Sequence, residues 1–289
     1  MINVIDVYDS YRQVIADNMN KSCDEKINVW QDFHQENYPE LLGKCTNYYE
    51  EDGYNWMKVA RGSVFPRRKE DYPYMEEAHE NLLKVLENIN KRVQEVFNIE
   101  LDINVVIYAG LCNAAGWVDE YEGKRTVLFG IDKMAELRWH DIEKIDCLVC
   151  HELCHVIHFF IRGEVIPEEA SINKYNYGIW DLYEEGFAQY FEEKISRYHK
   201  DSRGENWSYE CEKNEKKLKK LYLEALKDNE KGTRDFFGDW YKVLGISDTG
   251  YYMGAKFIEG LNDRYDVKTI AVMDPVSIEN EVLKYLERA

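Results

Sequence analysis

The stretch Cys150-His151-Glu152-Leu153-Cys154-His155 constrains this chain more than any other, because it contains His-Glu-x-x-His. On a helix, residues four apart project from one face, one turn above the other. His151 and His155 placed this way can hold one Zn2+ through neutral imidazole nitrogens. Glu152, on the adjoining face, can take a proton from coordinated water. The chain has only 7 histidines in 289 residues, so this spacing is hard to assign to chance. The motif makes three demands on the fold: a buried helix to carry it, a third ligand from another element, and a cleft for substrate.

Composition narrows the setting. Hydrophobic residues make up 45% and aromatics 14%, enough for a sizeable core. A net charge of −18 argues against nucleic acid as a partner and against docking on an anionic membrane. It is compatible with basic peptide substrates, although acidity commonly serves solubility. No stretch approaches the ~18–20 apolar residues of a membrane span. The start, Met1-Ile2-Asn3-Val4-Ile5-Asp6, lacks the basic and apolar regions of a secretory signal. Seven scattered cysteines fit a reducing compartment, and the expected location is cytoplasmic.

The expected fold class is α+β, mostly helical, in two parts. Residues 1–72 read as a small helical N-terminal region, rich in aromatic packing residues. Within it, Arg67-Arg68-Lys69 reads as a solvated loop between Gly62 and Pro73. Residues 73–289 form the main domain. Met75, Ala78, Leu82, Leu86, Ile89, Val93 and Phe97 give one face of a long amphipathic helix. A small sheet follows at about 101–131, with strands at Ile103–Tyr108 and Thr126–Ile131, a short one at Trp117-Val118, and a tight turn at Glu122-Gly123. The motif helix spans about 141–162, capped by Asp141 and ended by Gly163. Gly163 to Gly178, with Pro167, reads as a loop, and helical spacing resumes over about 179–197. Further helices are expected at Ser208–Asn229, Gly238–Val243 and Thr249–Asn262, and a terminal one capped by Ser277.

The helix at 179–197 offers Glu184 and Glu185 as third ligand, with 29 residues between His155 and Glu185. Here the sequence resembles the gluzincin metallopeptidases, in which His-Glu-x-x-His is followed by a helix bearing Glu-Gly-x-Ala. That element is Glu185-Gly186-Phe187-Ala188 here, and the resemblance makes Glu185 the ligand. Gly186 and Ala188 are small enough to let this helix approach the motif helix. From Met75 to Ala289 the sequence also resembles the DUF2268 family of predicted zinc-dependent proteases, with a later Gly-Tyr-x-x-Gly element at Gly250-Tyr251-Tyr252-Met253-Gly254.

The resemblance implies a thermolysin-like core with Thr126–Gly130 as a strand that pairs with an extended peptide. It implies a peptidase acting on a peptide or protein substrate. Zn2+ would be held by His151, His155 and Glu185, and Glu152 would be the general base. Either Tyr251 or Tyr252, with Tyr252 preferred, could donate a hydrogen bond to the oxyanion, and Asp181 could orient an imidazole. Other readings of the same stretch are a c-type haem site at Cys147-Leu148-Val149-Cys150-His151 and a thiolate site from Cys147, Cys150 and Cys154. His158 reads as a packing residue. His34, His79, His140 and His199 need no role. A different class of function is a non-catalytic, zinc-binding regulatory protein on the same scaffold. Intact Glu152 argues against it, since zinc binding alone does not need that carboxylate.

Overall fold

Ile103–Tyr108 is buried at all six positions and forms the middle of a small mixed sheet. The computed structural model describes residues 2–51, 53–163, 172–198, 203 and 205–288. Within them the chain is α+β and mostly helical. The strands are β1 (Ile2–Asp6), β2 (Ile103–Tyr108), β3 (Gly116–Tyr121) and β4 (Lys124–Gly130), in the order β1-β2-β4-β3. β1, β2 and β4 run parallel, with Ile2 opposite Ile103 and Asn104 opposite Thr126, and β3 pairs antiparallel with β4. The β3–β4 turn is the expected one. Glu122 and Gly123 both have positive φ, 52° and 72°, as a two-residue type I′ hairpin requires.

Two expectations change here. Thr126–Gly130 has a hydrogen-bonded neighbour on each side. A strand with both ladders filled has no backbone groups left for an extended peptide. The outer strands are β1 and β3. β1 itself was not foreseen in a region read as helical, because its partner β2 lies about a hundred residues away in sequence.

Contacts divide the chain into two units, Met1–Val149 and Cys150–Ala289. The first holds the sheet and the helices α1 (Val7–Asp17), α2 (Cys23–Asn37), α3 (Pro39–Glu51), α4 (Trp56–Val59), α5 (Arg68–Phe97) and α6 (Ile131–Leu137). α5 begins seven residues before Met75 and runs through Pro73. The first turn of α5 is anchored by ion pairs and a buried hydrogen bond. Arg68 is only 4% exposed, donates to Gly110 O at 3.1 Å and lies 3.5 Å from Asp132, and Asp71 faces Arg138 at 2.8 Å. The basic run is therefore partly core rather than a solvated loop. Further along, Arg92 grips Asp146 through two bonds of 2.6 and 2.9 Å. A buried pair with both bonds in place leaves neither charge alone.

The motif helix, α7 (Ile142–Arg162), begins in the first unit and carries the motif into the second. Its ends are as expected: Asp141 accepts from Lys144 N at 3.1 Å, and Gly163, at φ 82°, donates to Phe159 O. The second unit adds α8 (Lys174–Ile195), α9 (Glu205–Ala225), α10 (Thr249–Asn262), α11 (Val267–Ala271) and α12 (Pro275–Glu287). The loop expected over 163–178 falls largely on residues 164–171, outside the described residues, as does His199. From Lys174 onward it is helix. Gly238–Val243 is irregular rather than helical, with a short bridge between Val243 and Ile246. The last helix is capped by Asp274, with Pro275 in its first turn, rather than by Ser277.

α8 is the helix on which the others converge. Tyr222 of α9 donates to Gly178 O at 2.7 Å, and Tyr175 of α8 donates to Glu279 of α12 at 2.7 Å. α10 comes closest. A Cβ on Gly186 would sit 2.4 Å from the Gly254 backbone, and one on Gly254 would sit 2.6 Å from Leu182 O. The small residue after Glu185 thus admits the Gly-Tyr-Tyr-x-Gly helix rather than the motif helix. Since backbone cannot yield as a side chain can, Gly254→Ala should cost ~1–3 kcal/mol or more. At ~2–4 °C per kcal/mol, that lowers the melting temperature by several degrees. Gly260→Ala, in the same helix with nothing within 4 Å, should instead gain ~0.5–1 kcal/mol. Thermal unfolding of the two variants beside the parent checks the contrast; equal melting temperatures would contradict it.

Candidate metal centre

α7 presents His151 and His155 on one face, and α8 brings Glu185 to meet them. His151 Nε2 lies 3.2 Å from Glu185 Oε2, His155 Nε2 lies 3.4 Å from the same oxygen, and the two Nε2 atoms are 3.3 Å apart. These ligand atoms form the one cluster of its kind among the described residues. The triangle is close to equilateral, and its size is informative. A tetrahedral ion with ligands at ~2.0–2.1 Å sets its ligand atoms ~3.3–3.4 Å apart. Two imidazoles and a carboxylate therefore fit Zn2+ in both chemistry and spacing.

Electrostatics point the same way. Burial opposes a proton on His151, but its hydrogen bonds to Glu185 and Glu192 outweigh that and push its pKa up to about 10. Burial likewise opposes charge on His155, and Glu185 raises it in spite of that. Glu185 is held well below the ordinary carboxylate range: desolvation acts against ionisation, and the two imidazoles prevail. The shifts all favour a positive charge at the centre of the cluster.

The orienting carboxylate is Glu192. His151 Nδ1 donates to Glu192 Oε2 at 3.0 Å in a buried bond, which leaves Nε2 facing Glu185. Glu192 Oε1 accepts from Gln189 Nε2 at 2.8 Å, and Gln189 Oε1 accepts from Arg203 Nη1 at 2.8 Å. The Arg203 guanidinium lies over the Tyr251 ring at 4.3 Å. Neither Glu192 nor Gln189 entered the sequence reading, yet a signal was present. Gln189 and Glu192 lie four and seven residues after Glu185, on the same face of a helix whose neighbouring positions are largely apolar.

Glu184 faces the other nitrogen of His155, Oε1 to Nδ1 at 4.0 Å, and its second oxygen accepts from Trp180 Nε1 at 2.6 Å. Burial pushes its pKa up to about 7, against the pull of His155. Glu152 is 6% exposed, and burial raises its carboxyl too, while the two imidazoles lower it. The two candidate tyrosines part company. Tyr251 packs beside His151, ring centroids 5.7 Å apart. Tyr252 turns towards α9, where it meets Trp207 at 6.3 Å and the charges of Glu215 and Glu212. Among the described residues Asp181, one turn before Glu185, makes no hydrogen bond to an imidazole.

His158 is a structural residue. It stacks on Phe187 at 4.5 Å, its Nε2 lies 3.2 Å from Ala271 O, and burial pushes its pKa down to about 3. Cys147, Cys150 and Cys154 are buried, and burial holds the Cys154 thiol well above its ordinary range, which disfavours the thiolate a metal would need. No family model, curated protein or solved structure matches the chain.

The raised His151 makes metal uptake depend on pH with a definite sign. Below about 10 its imidazole is protonated in the metal-free cluster, so an incoming ion displaces that proton. Between pH ~6 and 8 the association constant for Zn2+ should rise about tenfold per pH unit, with about one proton released per ion. Calorimetry in buffers of different ionisation enthalpy measures both; an affinity independent of pH would contradict the charge assignment.

Proposed function

We propose that the chain is a zinc-dependent peptidase whose metal is held by His151, His155 and Glu185, one ion per chain. The observation that carries the reading is the ligand triangle, 3.2–3.4 Å on each edge, with a buried carboxylate beside it on the same helix. Its resemblance to the gluzincins, through Glu185-Gly186-Phe187-Ala188, supports the same reading. The scattered cysteines fit a cytoplasmic setting.

Zinc bound there would supply Lewis-acid chemistry, acidifying water and polarising a peptide carbonyl. The residues around it have distinct tasks. Glu152 accepts the proton of the attacking water and passes it to the departing amine, and its burial-raised pKa brings it nearer the working pH of such a base. Tyr251 donates its phenolic proton as a hydrogen bond to the oxyanion that forms at the carbonyl. Burial first, and then the charge of Glu185, hold that phenol well above its ordinary range, so it remains a donor at neutral pH. Glu192 keeps His151 in the tautomer that directs Nε2 at the metal.

Metal analysis with peptide-library profiling tests the reading. Wild type loaded with one zinc should cleave peptides. Glu152→Gln should retain zinc and lose ~10²–10⁴-fold in kcat. Tyr251→Phe should lose ~10²–10³-fold in kcat with KM little changed, while Tyr252→Phe should not show that loss. A zinc-loaded wild type that cleaves nothing, or a fully active Glu152→Gln, would overturn the proposal.

A further inference from the structure

The start of α12 packs against the start of α8 around a cavity of about 150 Å3, and none of the metal ligands lines it. Ile179 and Ile278 are its buried apolar wall, and the rings of Tyr175 and Trp180 line it with them. Val276, 65% exposed, marks where it opens to solvent. Trp180 is held in place, because its Nε1 donates to Glu184 Oε2 at 2.6 Å and the Arg162 guanidinium lies over its ring at 4.9 Å. The Tyr175 phenol, donating to Glu279 Oε1 at 2.7 Å, ties the two helices together beside the cavity. The cavity is therefore preformed, as ligand sites generally are. Its one charged lining group among the described residues is the Glu279 carboxylate. Tyr175 gives that carboxylate a neutral hydrogen bond, and no lysine, arginine or histidine among the described residues forms an ion pair with it.

We propose that this cavity binds a small arylalkylamine, with one aromatic ring in its apolar part and an ammonium group against Glu279. The site goes beyond the peptidase reading and does not depend on it. Size limits the apolar part, because a dry apolar cavity of this volume holds a single benzene ring. The walls favour an aromatic over an alkyl group, since Trp180 and Tyr175 can meet a ring offset or edge-to-face. Charge selects the head group. A carboxylate with no cationic partner, in a chain of net charge −18, attracts an ammonium and repels a carboxylate. For the same reason the corresponding amino acid, which carries a carboxylate beside its amine, fits less well than the amine itself. The ammonium has three donors, and Glu279 and the faces of the two aromatic rings are there to meet them.

The test titrates the full chain calorimetrically with 2-phenylethylamine, phenylacetate and phenylalanine, first metal-free and then loaded with zinc. The amine should bind one per chain, at least about tenfold tighter than either carboxylate compound, and equally well with and without zinc. Glu279→Gln keeps an acceptor for the Tyr175 phenol and should remove that preference. Val276→Trp, at an exposed position, should close the mouth and abolish binding, and an unchanged melting temperature would show that the fold is intact. No saturable binding of the amine below ~10 mM, equal affinity for the amine and phenylacetate, or binding that survives Val276→Trp overturns the proposal. Binding that appears only with zinc would place the amine on the metal and overturn it as well. Loss of peptide cleavage in the zinc-loaded protein would strike the peptidase reading and leave this site standing.

Discussion

Two imidazole nitrogens and a carboxylate oxygen held 3.2–3.4 Å apart need a positive charge between them. That cluster joins the motif helix to α8. It accounts for the opposite shifts of His151 and Glu185, which are two views of one attraction. It also accounts for Glu192, which spends a buried hydrogen bond on fixing one ring nitrogen so that the other is directed inward. A helix that only needed to pack would have no use for an acid at that position.

The close helix crossing serves the same centre. Gly186 follows Glu185 directly, and its contact with Gly254 brings two backbones together where any side chain would hold them apart. Tyr251 lies one turn before Gly254 and so comes to rest beside His151. Glycine in mid-helix sacrifices stability. Here it delivers a phenol and a guanidinium, Arg203 over the Tyr251 ring, to one side of the ligand set. Packing and chemistry are therefore set by the same pair of residues.

Much of this was legible in the sequence where the signal was local. The motif helix, its Asp141 and Gly163 caps, the Glu122-Gly123 turn and the helix Thr249–Asn262 each follow from a few neighbouring residues. The failures share a cause. β1 pairs with a strand a hundred residues on, Arg68 is buried by Asp132, and β4 lies between two partners, none of which a local pattern records. Both Tyr251 and Tyr252 were candidates on sequence grounds, with a lean to Tyr252, the one the structure turns away. Only the crossing with α8 and the position of α9 separate them. Glu192 was readable in principle, since an acid two turns after Glu185 on a mostly apolar helix is out of place unless something inside needs it.

X-ray absorption at the zinc edge of the loaded protein tests the central claim most directly, because it reports the ligand atoms themselves. The account predicts nitrogen and oxygen neighbours only, at ~2.0–2.1 Å, with the multiple-scattering signature of two imidazoles. A sulfur neighbour at ~2.3 Å would show that the cysteines of the motif helix hold the metal instead, and the account would fall.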